Sequence, residues 1–461
     1  MSLITALINN TAYSYEDAFR AKDCTSQAMR SAIADWFTLY LQREATETED
    51  PCQRIPYTVV NKICKTAFSE YSATSEDAFA QAVINTMDQK KRDAMQMALV
   101  GGECLMKPIP LKGGWRWTVI NRSNILVFGR DDDGNLTDVG TAERTVTDRN
   151  YYTLLERRTV DENGYLTIRN MLYKSPTEAS LGTPVSLLEL PKYAELVPEY
   201  TYPRPIGSIG LVRIKTPMVN CVDGGLDAVS VYAAAVGLIH NINVNEAQIN
   251  GEFSRGESRV ITSADMLKKD KSTGRRDFKD HLFVGLDDDV DTVGVTIFSP
   301  ELREQSFLAR KTEYLRNVEN VIGLKRGLLS EVEAAERTAT EVTSSAGDYN
   351  LTIIDFQNMW DAAVKEAVRI CGVIGQLYHV PHAHEVPEDS IIIDWGNGVL
   401  YDEDKTWEDY KNMVAVGMLK PEIALGWRFN MPTDTPEDLA AIREKYMPTA
   451  EDTADDDGDD A

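Results

Sequence analysis

The sequence has no pairing of cysteine and histidine that would mark a zinc site or a redox centre. Its six cysteines (Cys24, Cys52, Cys64, Cys104, Cys221, Cys371) form no CxxC and stand beside no suitably spaced histidine, so they read as reduced thiols of a cytosolic chain. It has no apolar run of ~18 residues, so no membrane span is expected. The most apolar stretch, 229–239, is interrupted by Ser230 and reads as a buried helix. The opening MSLITALINNTAYSYEDAF has neither a basic segment nor a long apolar core, so no secretory leader is expected. Basic residues are also short: 48 Lys and Arg stand against 73 Asp and Glu, a net charge of −25. That argues against an open, affinity-driven DNA binder, which needs a cationic face to displace counterions, but not against a protein that nucleic acid passes through.

What is present is an ordinary folding chain of 461 residues, 43% hydrophobic and 26% charged, long enough for several domains or one body with insertions. The first hundred residues carry helical spacing: one helix is expected from Tyr15 to Leu41. A second is expected from a Ser75 cap through Phe79, Val83, Met87, Met95 and Leu99 to a stop at Gly101-Gly102. From 104 to 220 the period is two. Strands are expected at 115–120, 125–128, 151–160 and 165–174, with turns at Asp131–Gly134 and Asp161–Gly164, the second a strong hairpin signal. The proline-rich stretch 198–217 suits a connector.

At Asp223-Gly224-Gly225 helical spacing resumes, with Ala228, Val231, Tyr232, Ala235, Leu238, Ile239 and Ile242 on one stripe ending near Gly251. Residues 258–299 are short, mixed and charged, with a strand expected at 293–298. Ser299-Pro300-Glu301 then reads as a helix start. The helix after it carries apolar pairs seven residues apart, Phe307/Leu308, Tyr314/Leu315 and Val321/Ile322, in a charged surround. That narrow stripe suits packing against neighbouring helices, with Phe307, Tyr314, Val318 and Val321 as candidate subunit-packing residues. A glycine-punctuated break at 323–339 precedes a long helix from about 341 to 378, with bends expected at Gly347, Gly372 and Gly375. A short buried strand is expected at 391–393, helices at 404–418 and 436–446, and an acidic low-complexity tail at 451–461.

No catalytic constellation survives inspection. His379, His382 and His384 cluster beside Glu385, Glu388 and Asp389, yet Pro381 breaks any helix there, so no HExxH face can form. A metal-dependent hydrolase built on the His379–Glu385 cluster is the least favoured alternative, and no metal or cofactor is expected. Asp131-Asp-Asp133-Gly-Asn135 opens like a calcium loop but has Leu136 where glycine belongs, and reads as a hairpin turn. Gly207-Ser-Ile-Gly210 is too short to cradle a phosphate. The acidic run Asp287–Asp291 reads as solvated. The basic residues Lys268, Lys269, Lys271, Arg275 and Arg276 read as a solvated loop or a partner contact.

Three stretches carry a family resemblance: AMQMALVGGECLMK at 94–107, LIHNINVNEAQINGEFSRGESRVIT at 238–262, and NVENVIGLKRGLLSEVEAAERTATEVTSS at 317–345. In these and in the order of parts, over roughly residues 10–395, the chain resembles the portal proteins of tailed double-stranded DNA bacteriophages of the long-tailed, siphovirus type. The string from Arg337 to Val342 resembles the opening of that family's long helix after its tunnel loop. The resemblance implies an α+β, elongated portal fold: an α/β wing (1–222 and 340–400), a two-helix stem (223–250 and 300–323), a small mixed α/β clip (251–299), a tunnel loop (324–339) and a helical C-terminal crown (401–450). It implies a non-enzymatic virion protein, made in the host bacterial cytoplasm, forming a homo-oligomeric ring of about twelve subunits at one capsid vertex. The implied partners are the terminase large subunit, head-completion and adaptor proteins, major capsid and scaffolding proteins, and double-stranded DNA passing without sequence specificity. Another virion structural or connector protein is the second reading. Lys325 and Arg326 are the candidate tunnel-loop contacts to phosphate, the alternative being pairing with Glu331 or Glu333 of a neighbour.

Overall fold

The computed structural model describes residues 4, 13–41, 52–255, 259–263, 283–286, 296–298, 303–330, 339–396, 403–429, 431–433 and 435–447. The fold is α+β. By contacts the chain divides into two compact units, Met1–Phe68 with Ser72–Asp394, and Ser69–Tyr71 with Trp395–Ala461. No helix among the described residues is long and apolar enough to cross a membrane.

The first unit begins with α1 (Tyr13–Phe19), α2 (Gln27–Leu41) and α3 (Ile55–Ala67), followed by strand β1 (Ser72–Ser75), α4 (Ala78–Asp88) and α5 (Lys91–Gly101). The single helix expected from Ser75 to Gly101 is thus two. Ser75 ends a strand, and Asp77 is the cap, its carboxylate accepting from the Ala80 N–H at 2.9 Å. The break falls where the apolar stripe lapses, at Asp88-Gln89-Lys90, the last two of which are exposed. Trp36, Val59, Ile63, Val83, Met87, Met95 and Leu99 of these helices are buried, and α3 and α4 pack on the 39-residue α8 (Ala339–Leu377), whose Phe356, Trp360 and Val364 are buried in turn. Phe68 meets Trp360 edge-on at 5.4 Å. The glycines expected to bend α8 have a different use at two positions. A Cβ on Gly372 would sit 2.6 Å from the His384 carbonyl, and one on Gly375 2.6 Å from Ala383, so both admit the returning segment 380–385.

Strands β2 (Glu103–Leu111), β3 (Gly114–Asn121) and β10 (Val212–Lys215) form one sheet in the order β10-β2-β3. The antiparallel ladder of β4 (Ile125–Arg130), β5 (Leu136–Thr147), β6 (Asn150–Val160), β7 (Leu166–Ser175) and β8 (Thr183–Val185) forms another, with β9 (Glu199–Thr201) also on β7. Both expected turns close their hairpins: the Asp131 carboxylate accepts from the Asn135 N–H at 2.7 Å, and Asp161 does the same for Tyr165 at 2.8 Å. One sheet face packs Ile125, Val127 and Val139 on Leu105 and Leu211; another cluster packs Leu154 and Leu172 on Leu187 and Tyr193. The proline-rich stretch supplies two edge strands, β9 and β10, as well as a connector. At the far end β14 (Ile391–Asp394) pairs with β1. It was expected to be buried, but only Ile391 is; Ile392 is exposed, as alternation on a two-stranded sheet requires.

The apolar run 229–239 is only partly helical. Residues 216–232 cross the C-terminal end of α5, a 3-10 turn follows at Ala233–Ala235, and α6 (Val236–Arg255) starts after it. Gly102 has φ +84°, and a Cβ there would lie 2.5 Å from the Ala228 carbonyl group. The crossing is stapled by Val231 N–H to the Leu99 carbonyl (2.9 Å), Thr216 N–H to the Gly102 carbonyl (2.8 Å) and the Tyr232 hydroxyl to the Trp36 carbonyl (2.9 Å). Here helical periodicity and complete burial are indistinguishable, because Ala228, Val229, Val231 and Tyr232 are all buried.

Below the crossing lies an ionic cluster. Arg122, fully buried, donates to Asp227 (3.1 Å), to the Thr25 hydroxyl (2.9 Å) and to the Ile125 carbonyl (2.8 Å). Its Nε lies 3.0 Å from Glu103 Oε1 but poorly aligned, an ion contact rather than a hydrogen bond. Arg213 donates to Glu103 at 2.7 Å and Arg130 to Asp227 at 2.7 Å. Burial alone would push the Glu103 carboxyl up, but Arg213, Arg122 and Arg130 overcome it and hold it at about 2. Glu156, buried between Arg158 and Lys107, is held at about 2 in the same way.

A small three-stranded sheet of β11 (Arg259–Ser263), β12 (Phe283–Leu286) and β13 (Thr296–Phe298) follows α6, with order β12-β11-β13, β11 and β12 parallel and β11 and β13 antiparallel. Of the strand expected at 293–298, β13 is the described part, and residues 293–295 lie outside the described residues. The expected helix start at Ser299 lies outside the described residues, and α7 runs Glu304–Ile322. The second unit contains α9 (Glu403–Ala415), α10 (Pro421–Arg428) and α11 (Pro436–Tyr446). A capping box between Thr435 and Asp438 starts α11, and Phe429 stacks on Tyr446 at 4.3 Å.

Gly102→Ala adds a Cβ where backbone already lies and imposes a positive φ on alanine. Urea denaturation should show a loss of roughly 3 kcal/mol or more, or no folded protein. Because folding lowers the Glu103 and Glu156 pKa values, their stabilisation is complete above the unfolded value of ~4.5 and disappears as pH falls towards 2, by about 3 kcal/mol each. Asp23, pushed up by burial, acts in the opposite sense. Urea midpoints should therefore fall steeply between pH ~4.5 and 2, and Glu103→Gln should flatten that limb.

Candidate assembly helices and passage loop

α6 and α7 pair antiparallel. Ile239, Ile242 and Ile249 of α6 and Val318 and Ile322 of α7 are buried. Polar bonds fix the register along the seam. Arg303 forks onto Glu252 (2.9 and 3.0 Å), the Asn245 amide donates to the Phe307 carbonyl (3.1 Å), and Lys311 reaches Glu246 (2.8 Å) and Gln53 (3.1 Å). Long cationic side chains thus tie α7 both to α6 and to the segment before α3.

The apolar pairs seven residues apart split between two faces. Ile322 turns inward, while Val321 is 45% and Leu308 45% exposed. Opposite, α6 leaves Val244 54% and Phe253 46% exposed. Of the four expected subunit-packing residues, Val321 is on the free face. Phe307 is half-buried with the Arg303 guanidinium 5.6 Å from its ring centre, and Tyr314 is half-buried with its hydroxyl accepting from Arg310 (2.8 and 3.0 Å). Val318 needs correction: it is wholly enclosed by its own chain, so it belongs to the core under α7 and cannot face another subunit.

α7 ends at Gly323, left-handed at φ +79°, with the Leu324 N–H on the Glu319 carbonyl (2.8 Å). Lys325, half-buried, and exposed Arg326 come next, and the chain turns again at Gly327, φ +85°. The loop closes on the Glu319 side chain. This fully buried carboxylate accepts from the N–H groups of Gly327 (3.3 Å), Leu329 (2.5 Å) and Ser330 (2.9 Å), and from the Ser330 hydroxyl (2.8 Å). From outside, the Lys62 ammonium of α3 donates to the Leu328 carbonyl. Glu331 and Glu333, the alternative partners of Lys325 and Arg326, lie outside the described residues, as do Lys268, Lys269, Lys271, Arg275, Arg276 and the run 287–291. Sequence reading missed Glu319. Its signal was an acid between Val318 and Ile322, beside the buried stripe and in the last turn of a helix.

The remaining candidates are dispersed. His384 lies 2.9 Å from Asp77 and 2.8 Å from the His382 carbonyl, contacts that raise its pKa, the backbone carbonyl contributing most. It fastens the segment after α8 to the α4 cap. His379 and His382 occupy left-handed turns, and Glu385 is near Arg204 (3.5 Å). No group of three or more metal-ligating side chains occurs among the described residues. The Gly207–Gly210 turn has its Ile209 and Gly210 carbonyls held by Arg158 (3.0 and 3.2 Å). No disulfide joins the cysteines; Cys64, Cys104 and Cys371 are buried, and burial raises their thiol pKa values.

No protein-family model matches the chain, and no curated protein matches it. Among solved structures, one described as "Neck of native GTA particle computed with C12 symmetry" contains a similar chain, 10% identical, with a TM-score of 0.46, covering 89% of this chain and 96% of that one.

Proposed function

We propose that this chain is a virion structural protein of connector type and, more finely, the portal subunit of a tailed phage: a ring of about twelve copies through which double-stranded DNA is packaged and ejected. The observation that carries this reading is the antiparallel α6/α7 pair. It brackets an insert whose described part is a three-stranded sheet, and it leaves Val244, Phe253, Leu308 and Val321 uncovered on long helices. Isolated apolar side chains are ordinary on a surface; several along one helix pair suit the heterologous, head-to-tail contact that closes a ring. In this reading 223–250 and 300–323 are the stem, 251–299 with its three described strands is the clip, and 324–339 is the tunnel loop, of which 324–330 is described. The β12 and β13 edges pair between neighbours. The second unit is the crown, and terminase and head-completion proteins dock on the ring.

Charge supports the same reading. At −25 per chain, many copies around a bore repel the duplex within a Debye length of ~8 Å, so DNA slides rather than sticks. Lys325 and Arg326, on the loop at the end of α7, give a few local phosphate contacts.

Two measurements test this. By sedimentation the 51.5 kDa chain should run as one assembly of about 600 kDa, and Leu308→Asp with Val321→Asp should return it to smaller species without loss of helical signal. Unchanged assembly in that variant contradicts the interface. Lys325→Ala with Arg326→Ala should lower DNA retention in particles while leaving the ring intact; unchanged packaging and retention removes the role given to the two cations.

A further inference from the structure

We infer that Glu319 is the positioning residue of the passage loop: a buried carboxylate latch that fixes the backbone of 327–330 and so determines where Lys325 and Arg326 stand. The geometry is independent of the portal reading; the consequence for DNA rests on it.

Helix stability does not explain Glu319. It occupies the last turn of α7, the negative end of the helix dipole, where an acid is unfavourable, and it is fully buried, where a carboxylate loses hydration. What offsets both costs lies in the loop. Three backbone N–H groups and one hydroxyl converge on its two oxygens within 2.5–3.3 Å. Among the described residues none of these donors is a cationic side chain, so the carboxylate does not serve an ion pair. It replaces the ladder or helix partners that the amides of 327, 329 and 330 would otherwise lack.

The rest of the loop is built around this latch. Gly323 and Gly327 supply two left-handed turns four residues apart, and Leu324 and Ser330 are buried at its two ends. The Lys62 ammonium holds the Leu328 carbonyl from the outer side. Lys325 and Arg326 occupy the short span between the two turns, so their backbone has little freedom. A carboxylate is specific for this task because it is acceptor-only. Glutamine would aim its NH2 at an N–H that has no acceptor left.

Hydrogen exchange on the full-length assembled protein tests the latch. Glu319→Gln should accelerate exchange of the 327–330 amides about tenfold or more, with α6 unchanged. Ser330→Ala, which removes one of the four donors and keeps the fold, should produce a smaller acceleration at the same amides. Unchanged exchange at 327–330 in both folded variants overturns the latch. Its action through the cations is read separately, by DNA retention in particles. Glu319→Gln should lower retention in the native background and add nothing when Lys325 and Arg326 are already alanine. An additive loss overturns positioning as the mechanism. If exchange accelerates while Glu319→Gln and the double-alanine variant both retain DNA normally, the latch stands and the passage reading falls.

Discussion

The arrangement depends on one close approach, the backbone at Ala228 lying against Gly102 where no side chain could stand. The crossing segment enters over the end of α5, is stapled to the Leu99, Gly102 and Trp36 carbonyls, and turns once before α6 begins. α6 therefore leaves the helical core in a fixed direction. α7 returns along it, and the loop after α7 comes back to α3 through Lys62. The ionic cluster beneath the crossing serves the same end. Breaking one partner of a buried network leaves a stranded charge, a far larger cost than a lost surface pair. Asp227, which receives both Arg122 and Arg130, belongs to the very segment that aims α6.

Fixing that direction matters only if the helix pair has something to pack against. Within one chain its inner faces are satisfied, while Val244, Leu308 and Val321 are not. Between the helices, the described strands of the insert leave β12 and β13 at the two edges of their sheet. Repetition around an axis answers both problems at once. In the proposed ring, neighbouring helix pairs would cover each other's apolar faces, and a chain carrying −25 would repel DNA from the bore rather than hold it.

Much of this was legible in the sequence where the chemistry is local. The Asp131–Gly134 and Asp161–Gly164 turns announce themselves through residues that bond their own backbone. Where burial is complete on all sides, period carries no information; hence 228–232 passed for helix. The α4–α5 break was missed because only a lapse of apolar residues marks it. Val318 and Val321 are three residues apart on one helix, and which of them faces the chain's own core is decided by α6, far away in sequence. Glu319 was illegible for a similar reason. Its partners are mostly backbone amides eight to eleven residues on, and any sequence supplies those.

The central claim is that the α6/α7 pair exists to close a ring. End-on imaging of the purified, full-length protein tests it most directly. The account predicts a closed annulus of about twelve copies around an open bore, with α6 and α7 of successive copies side by side. A monodisperse monomer at high concentration, or an assembly without a central hole, would contradict it.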